Sequence, residues 1–162
     1  MGKIVRVLAI MILITQAALV PARGAAPSIT QEEAEKFVNS FYNDLAGDDL
    51  DRVMIHFDET VDYYNFGKKQ RDYIANELGQ YFNLYPSRTF SISGFKLKPA
   101  AAADRVTANF DLHAFLRNPD RDVTSSGHAH VEWDLVKRNG VVKIVRFAGT
   151  AADTSPSPKP AK

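Results

Sequence analysis

The stretch from Gly127 to Phe147 constrains the fold of this chain more than any other. In its first half, small or apolar side chains alternate with polar ones, which is the period of a half-buried strand. The small or apolar set is Gly127, Ala129, Val131, Trp133 and Leu135. Asn139-Gly140 follows, a pair that tolerates the two left-handed positions of a type I′ turn. The sequence therefore predicts a β-hairpin.

Helical patterns precede this hairpin. Thr30-Gln-Glu-Glu33 is a capping box that begins a first helix, and Gly47 is placed to end it. A short second helix follows. Val61–Phe66 indicates a short strand, and a third helix is expected at about Lys68–Phe82.

From Arg88 onward the apolar residues recur every second position, with a change of parity at Gly94 that indicates a bulge. Helices followed by a sheet with one apolar face predict an α+β domain whose three N-terminal helices pack on a curved antiparallel sheet.

The order of these elements resembles the NTF2-like superfamily, which includes SnoaL-like and ketosteroid-isomerase-like proteins and has a cystatin-like fold. The resemblance covers about Gln31 to Ala148. It rests on Val61-Asp-Tyr-Tyr-Asn-Phe-Gly67 before the third helix, on Gln80-Tyr-Phe-Asn-Leu-Tyr-Pro-Ser-Arg-Thr-Phe90, and on the tryptophan strand followed by Lys143-Ile-Val145. The second of these segments is similar to secreted bacterial members of unassigned function. The resemblance implies a cone-shaped domain with a pocket at its mouth.

The two ends of the chain differ in composition from the domain. Residues 1–24 combine a short basic start with an apolar run too short to span a bilayer, as in a signal peptide. We therefore expect a domain at residues 28–150, a disordered Pro/Ser/Lys-rich tail at residues 151–162, and a secreted, periplasmic protein without a stable membrane anchor.

Composition narrows the classes of partner. Loss of residues 1–24 removes three basic residues and no acidic one, which leaves 17 basic against 19 acidic residues. A chain with this balance lacks the basic stripe of a nucleic-acid-binding protein. It contains no cysteine, so disulfides and thiol chemistry are also excluded.

Three histidines form the one metal-like pattern. His128 and His130 lie two residues apart on a strand and project from the same face, and His113 is expected opposite His128. Such a row suits zinc or copper, but the alternative is a solvated or dimer-facing outer surface. Because an exposed face lacks an enclosing second shell, the sequence favours that alternative and no metal or other cofactor is predicted.

The inner face of the hairpin carries the predicted ligand pocket. A two-residue loop pairs Arg138 with Val141 and, if the register continues, places Trp133 opposite Arg146 with Arg146 pointing inward. Tyr63 and Tyr64 are adjacent, so one of them must also point inward. Trp133, Arg146, Tyr63 and Tyr64 are the predicted pocket residues, for a small hydrophobic or anionic ligand. The alternative is a structural Arg–Asp pair.

Catalysis is not favoured by the sequence. Asp58 and Asp62 are the candidate bases, but both lie near loops, and His56 is expected to be a surface or satisfied histidine. The preferred function is a non-catalytic module that binds a small ligand or associates with a protein. The alternative is a cofactor-independent, SnoaL-like lyase or isomerase acting on a small hydrophobic or carbonyl compound.

An oligomeric state is also expected from the outer sheet face. This face is predicted to carry Phe115, Val145 and Phe147 among its charges, which indicates burial against another chain. Superfamily members often dimerise through this face, so the resemblance implies a homodimer.

Overall fold

The computed structural model describes residues 29–102 and 104–153. It contains three α-helices, which are α1 (Gln31–Ala46), α2 (Leu50–Met54) and α3 (Arg71–Leu84). Its strands are β1 (Phe57–Tyr63), β2 (Lys68–Gln70), β3 (Ser87–Pro99), β4 (Arg105–Asn118), β5 (Val123–Arg138) and β6 (Val141–Asp153). A 3₁₀ turn (Pro119–Arg121) joins β4 to β5. The predicted α+β class is confirmed.

One six-stranded sheet, in the order β2-β1-β6-β5-β4-β3, forms the scaffold. Every neighbouring pair is antiparallel except β1 and β6, which run parallel. The prediction of a purely antiparallel sheet is wrong at this pairing. These two strands are the first and last long strands of the chain, so no short turn fixes their relative direction.

Helix α1 provides the helical side of the core. The Thr30 side chain accepts a hydrogen bond from the Glu33 backbone N–H at 3.2 Å, as the capping box predicts. The helix ends at Gly47, whose N–H bonds to Asn43 and Asp44 carbonyls. Its buried residues are Ala34, Val38, Phe41, Tyr42 and Leu45. This helical spacing puts them on one face, against the sheet.

The segment between α2 and α3 differs from the prediction. The strand predicted at Val61–Phe66 begins earlier, at Phe57, and Lys68–Gln70 form a strand rather than the first turn of the third helix. Tyr64 and Gly67 both have left-handed backbone angles, with φ of 49° and 72°. They turn the chain back, so that Lys68–Gln70 pair with β1 before α3 begins.

The β5–β6 hairpin begins as predicted and then shifts. Asn139 and Gly140 have φ of 51° and 82°, and Arg138 pairs with Val141. The register shifts between Asp134 and Leu135, so that Trp133 pairs with Phe147.

This shift is a β-bulge, and it reverses the predicted directions of two side chains. Leu135 pairs with Ile144 and Asp134 with Arg146, which leaves Val145 as the extra residue on β6. The predicted inward position of Arg146 is therefore wrong, and Phe147, predicted to lie on the outer face, turns inward instead. The bulge predicted at Gly94 on β3 is confirmed, since the register shifts between Ser93 and Lys96.

The core lies between the helices and one face of the sheet. Trp133 is fully buried at its centre, with ring centroids 4.8 Å from Phe41, 5.2 Å from Phe110 and 4.8 Å from Phe147. Among the described residues, no helix has the length and apolarity needed to cross a membrane. Residues 1–28 and 154–162, which contain the predicted signal peptide and most of the predicted tail, lie outside the described residues, and β6 itself runs to Asp153.

Candidate functional site

A cavity of about 320 Å³ opens between the helices and the sheet, next to the core. It is lined from α1, from the turn after β1, from α3 and from the sheet. Its lining residues are Phe41, Tyr42, Leu45, Tyr63, Tyr64, Glu77, Leu78, Tyr81, Phe90, Leu112, Ala114 and Phe147. We call this space the tyrosine cavity. Its size and largely apolar wall are those of a site for a small organic molecule.

A second cavity of about 280 Å³ adjoins the first. The two share Tyr42, Tyr64, Leu112 and Phe147. Beyond these shared residues the second cavity is lined mostly by small side chains of β5 and β6, namely Ala129, Val131, Ala148, Gly149 and Ala151. The two cavities therefore lie side by side, with the shared residues between them.

The four tyrosines of the cavity have neutral hydroxyls over an unusually wide pH range. Burial raises the pKa of Tyr42 and of Tyr63 well above the usual value, and nearby Tyr64 adds to both shifts. Burial also raises the pKa of Tyr81 to about 12. The pKa of Tyr64 is raised in the same direction, but 44% of this residue is exposed, so water weakens the effect of burial there. A neutral phenol both donates and accepts a hydrogen bond. The cavity wall therefore offers polar groups without a phenolate charge.

One of these tyrosines has a strained backbone that a hydrogen bond and a ring contact hold in place. Tyr64 is a non-glycine residue with φ of 49°, a conformation that costs about 1–3 kcal/mol. Its N–H donates to the Phe147 carbonyl at 2.7 Å, and its ring lies edge-on to the Phe147 ring at 5.2 Å. Tyr64 lines both cavities, and 44% of its surface is exposed. The turn thus directs an aromatic ring to the boundary of the two spaces.

Glu77 is the one charged side chain among the described residues that line the tyrosine cavity. It lies on α3 close enough to Tyr63 for its negative charge to contribute to the raised pKa of that phenol. Sequence reasoning missed it. A helical-wheel reading could have found it, since Glu77 lies three and four residues from the apolar Ile74 and Tyr81 and so shares their face.

The structure divides the predicted pocket residues into two groups. Tyr63 and Tyr64 line the cavity together, whereas Trp133 is fully buried behind the wall. Arg146 lies on the opposite face of the sheet, where its Nη1 donates to Glu132 Oε1 at 2.6 Å and lies 3.6 Å from Asp134 Oδ1. The hydrogen bond to Glu132 raises the pKa of Arg146, against the opposing effect of burial. Arg146 lies on this face because of the bulge at Val145, and it is not next to Trp133 as predicted.

Neither of the two carboxylates predicted as weak candidate bases lines the tyrosine cavity. Asp58 is half-buried and lies 3.5 Å from Arg138, near the end of the β5–β6 hairpin. Asp62 is exposed on β1, and neither residue is among those that line the tyrosine cavity. The structure therefore places neither carboxylate in the cavity wall with Tyr63 and Tyr64.

The three histidines predicted as weak metal ligands share one region of the sheet but not one point. His113 and His128 are paired across β4 and β5, and their rings stack 4.2 Å apart at an angle of 8°. Lone pairs of imidazole nitrogens lie in the ring plane, so two parallel rings do not converge on one ion. His130 Nδ1 lies 3.0 Å from Asp111 Oδ1 instead. Within residues 29–102 and 104–153, no group of three potential ligands is placed to hold a metal.

Two buried polar groups support the fold rather than line the cavity. His56, predicted to be a surface or satisfied histidine, is 6% exposed and its Nε2 lies 2.8 Å from Asp44 Oδ2. Arg88 is 6% exposed and bonds to backbone carbonyls at the ends of α1 and α3. No signal in the sequence distinguishes Arg88 from a surface residue of an alternating strand.

Comparison of the sequence with models of known protein families found no match, and comparison with curated proteins found none either. Solved structures do match. A candidate scytalone dehydratase from Novosphingobium aromaticivorans has a TM-score of 0.68 at 14% identity, over 79% of this chain and 93% of that one.

Two further structures extend the comparison. A hexachlorocyclohexane dehydrochlorinase from Novosphingobium barchaimii has a TM-score of 0.61 at 15% identity, over 79% of this chain and 92% of that one. A protein of unknown function with a cystatin-like fold from Nostoc punctiforme has a TM-score of 0.58 at 15% identity, over 78% and 92% of the respective chains. Likeness at this identity establishes a fold and leaves activity open. The chain therefore has the NTF2-like, cystatin-like fold that its sequence resembles.

Proposed function

We propose that this protein is a small-ligand-binding module and that its ligand occupies the tyrosine cavity. The observation behind the proposal is the wall itself, which is largely apolar and aromatic, includes four tyrosines whose hydroxyls are neutral, and lines a space of ligand size. Apolar walls with a few convergent polar groups are the general form of a small-molecule site.

We favour a non-catalytic role because none of the bases considered from the sequence lines the tyrosine cavity. General acid–base catalysis needs a base within hydrogen-bonding reach of the substrate. Asp58 and Asp62 do not line the tyrosine cavity, and His56 is engaged with Asp44 at a different place. These positions leave Glu77 as the carboxylate available to a bound molecule.

Glu77 also supports a second candidate function. A carboxylate that shares a cavity with neutral tyrosine hydroxyls can accept a proton from a bound molecule while a hydroxyl donates to a developing oxyanion. This arrangement suits a cofactor-independent lyase or isomerase acting on a small hydrophobic or carbonyl compound. Two of the similar structures are a candidate dehydratase and a dehydrochlorinase, which favours testing this class.

The binding proposal is tested by filling the cavity. Ala114 lines it from β4, so Ala114→Trp places a large ring in the space, while Ala101→Trp adds the same ring at an exposed turn. Native mass spectrometry of protein purified from its own host should show a small molecule on the wild type and on Ala101→Trp, but not on Ala114→Trp. Thermal melting confirms that both variants are folded. Equal occupancy in all three proteins contradicts the proposal.

Secretion and self-association complete the proposed function. We propose that residues 1–24 are cleaved and that the mature protein is periplasmic. Intact-mass measurement of protein from a periplasmic fraction tests this, and a retained N-terminus in the cytoplasmic fraction contradicts it.

The proposed homodimer uses the outer sheet face, where Phe115 is 45% exposed. Because a charge at that position opposes burial against a second copy, Phe115→Asp is expected to reduce the mass measured by light scattering to that of a monomer. A wild type that is already monomeric contradicts the dimer.

A further inference from the structure

We infer that the tyrosine cavity selects an organic cation, either a protonated amine or a quaternary ammonium group carried on an apolar body. This inference rests on the proposed binding function and specifies its ligand class. It follows from three properties of the wall, which are the sign of its charge, the nature of its rings and the location of the nearby cations.

Only one of the described lining residues carries a charge, and that charge is negative. Glu77 supplies a carboxylate, and no lysine, arginine or histidine is among the described residues that line the cavity. A carboxylate in an apolar site attracts a cation strongly and repels an anion, because the surroundings screen charge less than water does. An anionic ligand would face Glu77 without a compensating positive group.

The aromatic rings favour the same sign. Tyr63, Tyr64 and Phe147 lie with centroids 4.9 to 5.6 Å apart, and the Tyr64 ring stands nearly perpendicular to the other two. These three rings pack against one another and form one aromatic part of the cavity wall. Ring faces carry partial negative charge and attract ammonium groups, as aromatic cages for quaternary ammonium ligands show.

The tyrosine hydroxyls are compatible with an amine. The side-chain hydrogen bonds between described residues include none from the hydroxyls of Tyr42, Tyr63, Tyr64 or Tyr81. Each hydroxyl oxygen can therefore accept a hydrogen bond from a protonated amine. Such hydrogen bonds orient the amine, and the Glu77 carboxylate attracts it.

Nearby cations are directed elsewhere. Arg88 lies outside the lining residues, and its guanidinium donates to the carbonyls of Leu45 and Tyr85 at 2.8 and 2.6 Å. Lys69 Nζ already lies 4.5 Å above the ring of Tyr73. Arg146, the residue on which the predicted possibility of an anionic ligand depended, lies on the other face of the sheet. Glu77 is therefore the one formal charge among the described lining residues, although the positive charge of Arg88 also reaches Tyr81 from behind the wall, where it opposes the rise in the pKa of that phenol.

A matched set of probes tests the inference. 4-Tert-butylphenol and (4-hydroxyphenyl)trimethylammonium have the same shape and differ in charge, and 4-tert-butylbenzoate supplies an anion of similar size. Binding of each to the full mature protein is measured by isothermal titration calorimetry. We expect the cation to bind about tenfold more tightly than its neutral isostere, because a carboxylate and several ring faces act together.

Glu77→Gln identifies the source of the preference. This variant keeps the side-chain shape and removes its charge, so the ratio of cation affinity to phenol affinity should fall from about tenfold toward one. Asp72→Asn is the matched control, since Asp72 is an exposed carboxylate on the same helix outside the cavity. The control should retain the preference, and thermal melting shows whether each variant is folded.

The outcomes separate this inference from the proposed function. Neutral phenol binding as tightly as the cation, or benzoate binding most tightly, overturns the inference while the binding function stands. Equal loss of preference in Asp72→Asn and Glu77→Gln also overturns it, because the effect is then one of net charge. Failure of all three probes to bind at millimolar concentration contradicts the proposed function together with the inference.

Discussion

Arg88 provides a quantitative test of how the domain is held together. Its Nε donates to the Leu45 carbonyl at 2.8 Å and its Nη1 to the Tyr85 carbonyl at 2.6 Å, with further bonds to the carbonyls of Phe82 and Gly47. The final carbonyls of a helix have no partner within the helix, and a cation there is favoured. A single buried arginine thus caps the C-terminal ends of α1 and α3.

The expected cost of removing this group follows from its contacts. Each hydrogen bond to a charged group contributes about 1.5–3 kcal/mol, and the desolvation of a buried guanidinium opposes this by several kcal/mol. Burial is also the main reason that the pKa of Arg88 is lowered. We therefore expect Arg88→Met to reduce the free energy of unfolding by about 2–4 kcal/mol, since it leaves the carbonyls unpaired.

Urea denaturation followed by circular dichroism measures this change. Arg117→Met is the matched control, because Arg117 is exposed on β4, and it should change stability by less than about 0.5 kcal/mol. Arg88→Lys should fall between the two, since an ammonium group lacks the planar fork of donors. A loss for Arg88→Met no greater than that for Arg117→Met refutes the reasoning.

Three further predictions concern the core, the tyrosines and the outer face. Trp133→Ala should reduce stability by about 3–5 kcal/mol in urea denaturation, because it empties the centre of the core, and a loss below about 1 kcal/mol contradicts this packing. Raised tyrosine pKa values favour the protonated folded state, so this stability is present below pH 10 and is lost as the pH rises toward about 12. Denaturation curves that are unchanged between pH 9 and 12 contradict it. Arg146→Ala should cost less than about 1 kcal/mol in thermal melting, since its ion pair with Glu132 is partly exposed, and a larger loss contradicts an outer position.

Local sequence patterns predicted those parts of the fold that local chemistry determines. Thr30 and Gly47 mark both ends of α1, and Asn139-Gly140 fixes the hairpin turn, because each acts on neighbouring backbone groups. The bulge at Gly94 was visible because the apolar parity changes there. These signals reach only a few residues along the chain.

The errors arose where packing between distant segments decides the outcome. Asp134 and Val145 carry no sequence signal for the bulge that moves Arg146 to the outer face. The predicted register pairs Trp133 with Arg146 and the observed register pairs it with Phe147, and the sequence does not distinguish the two. The parallel pairing of β1 with β6 likewise depends on how the whole sheet folds.

The candidate site was predicted only in part. Tyr63 and Tyr64 were found because two adjacent aromatic residues on a strand cannot both face solvent. Glu77 and Tyr81 were missed because they come from α3, whose approach to the sheet is a tertiary property. A cavity lined from several elements is therefore harder to predict than any one of the elements that line it.

A crystal structure of the mature protein, purified from its own host without refolding, tests the proposed binding site most sharply. We predict electron density for a small molecule within the tyrosine cavity, in contact with Tyr63, Tyr64 and Glu77. A cavity that is filled by its own side chains, or a ligand bound elsewhere on the domain, contradicts the assignment of this space as the binding site.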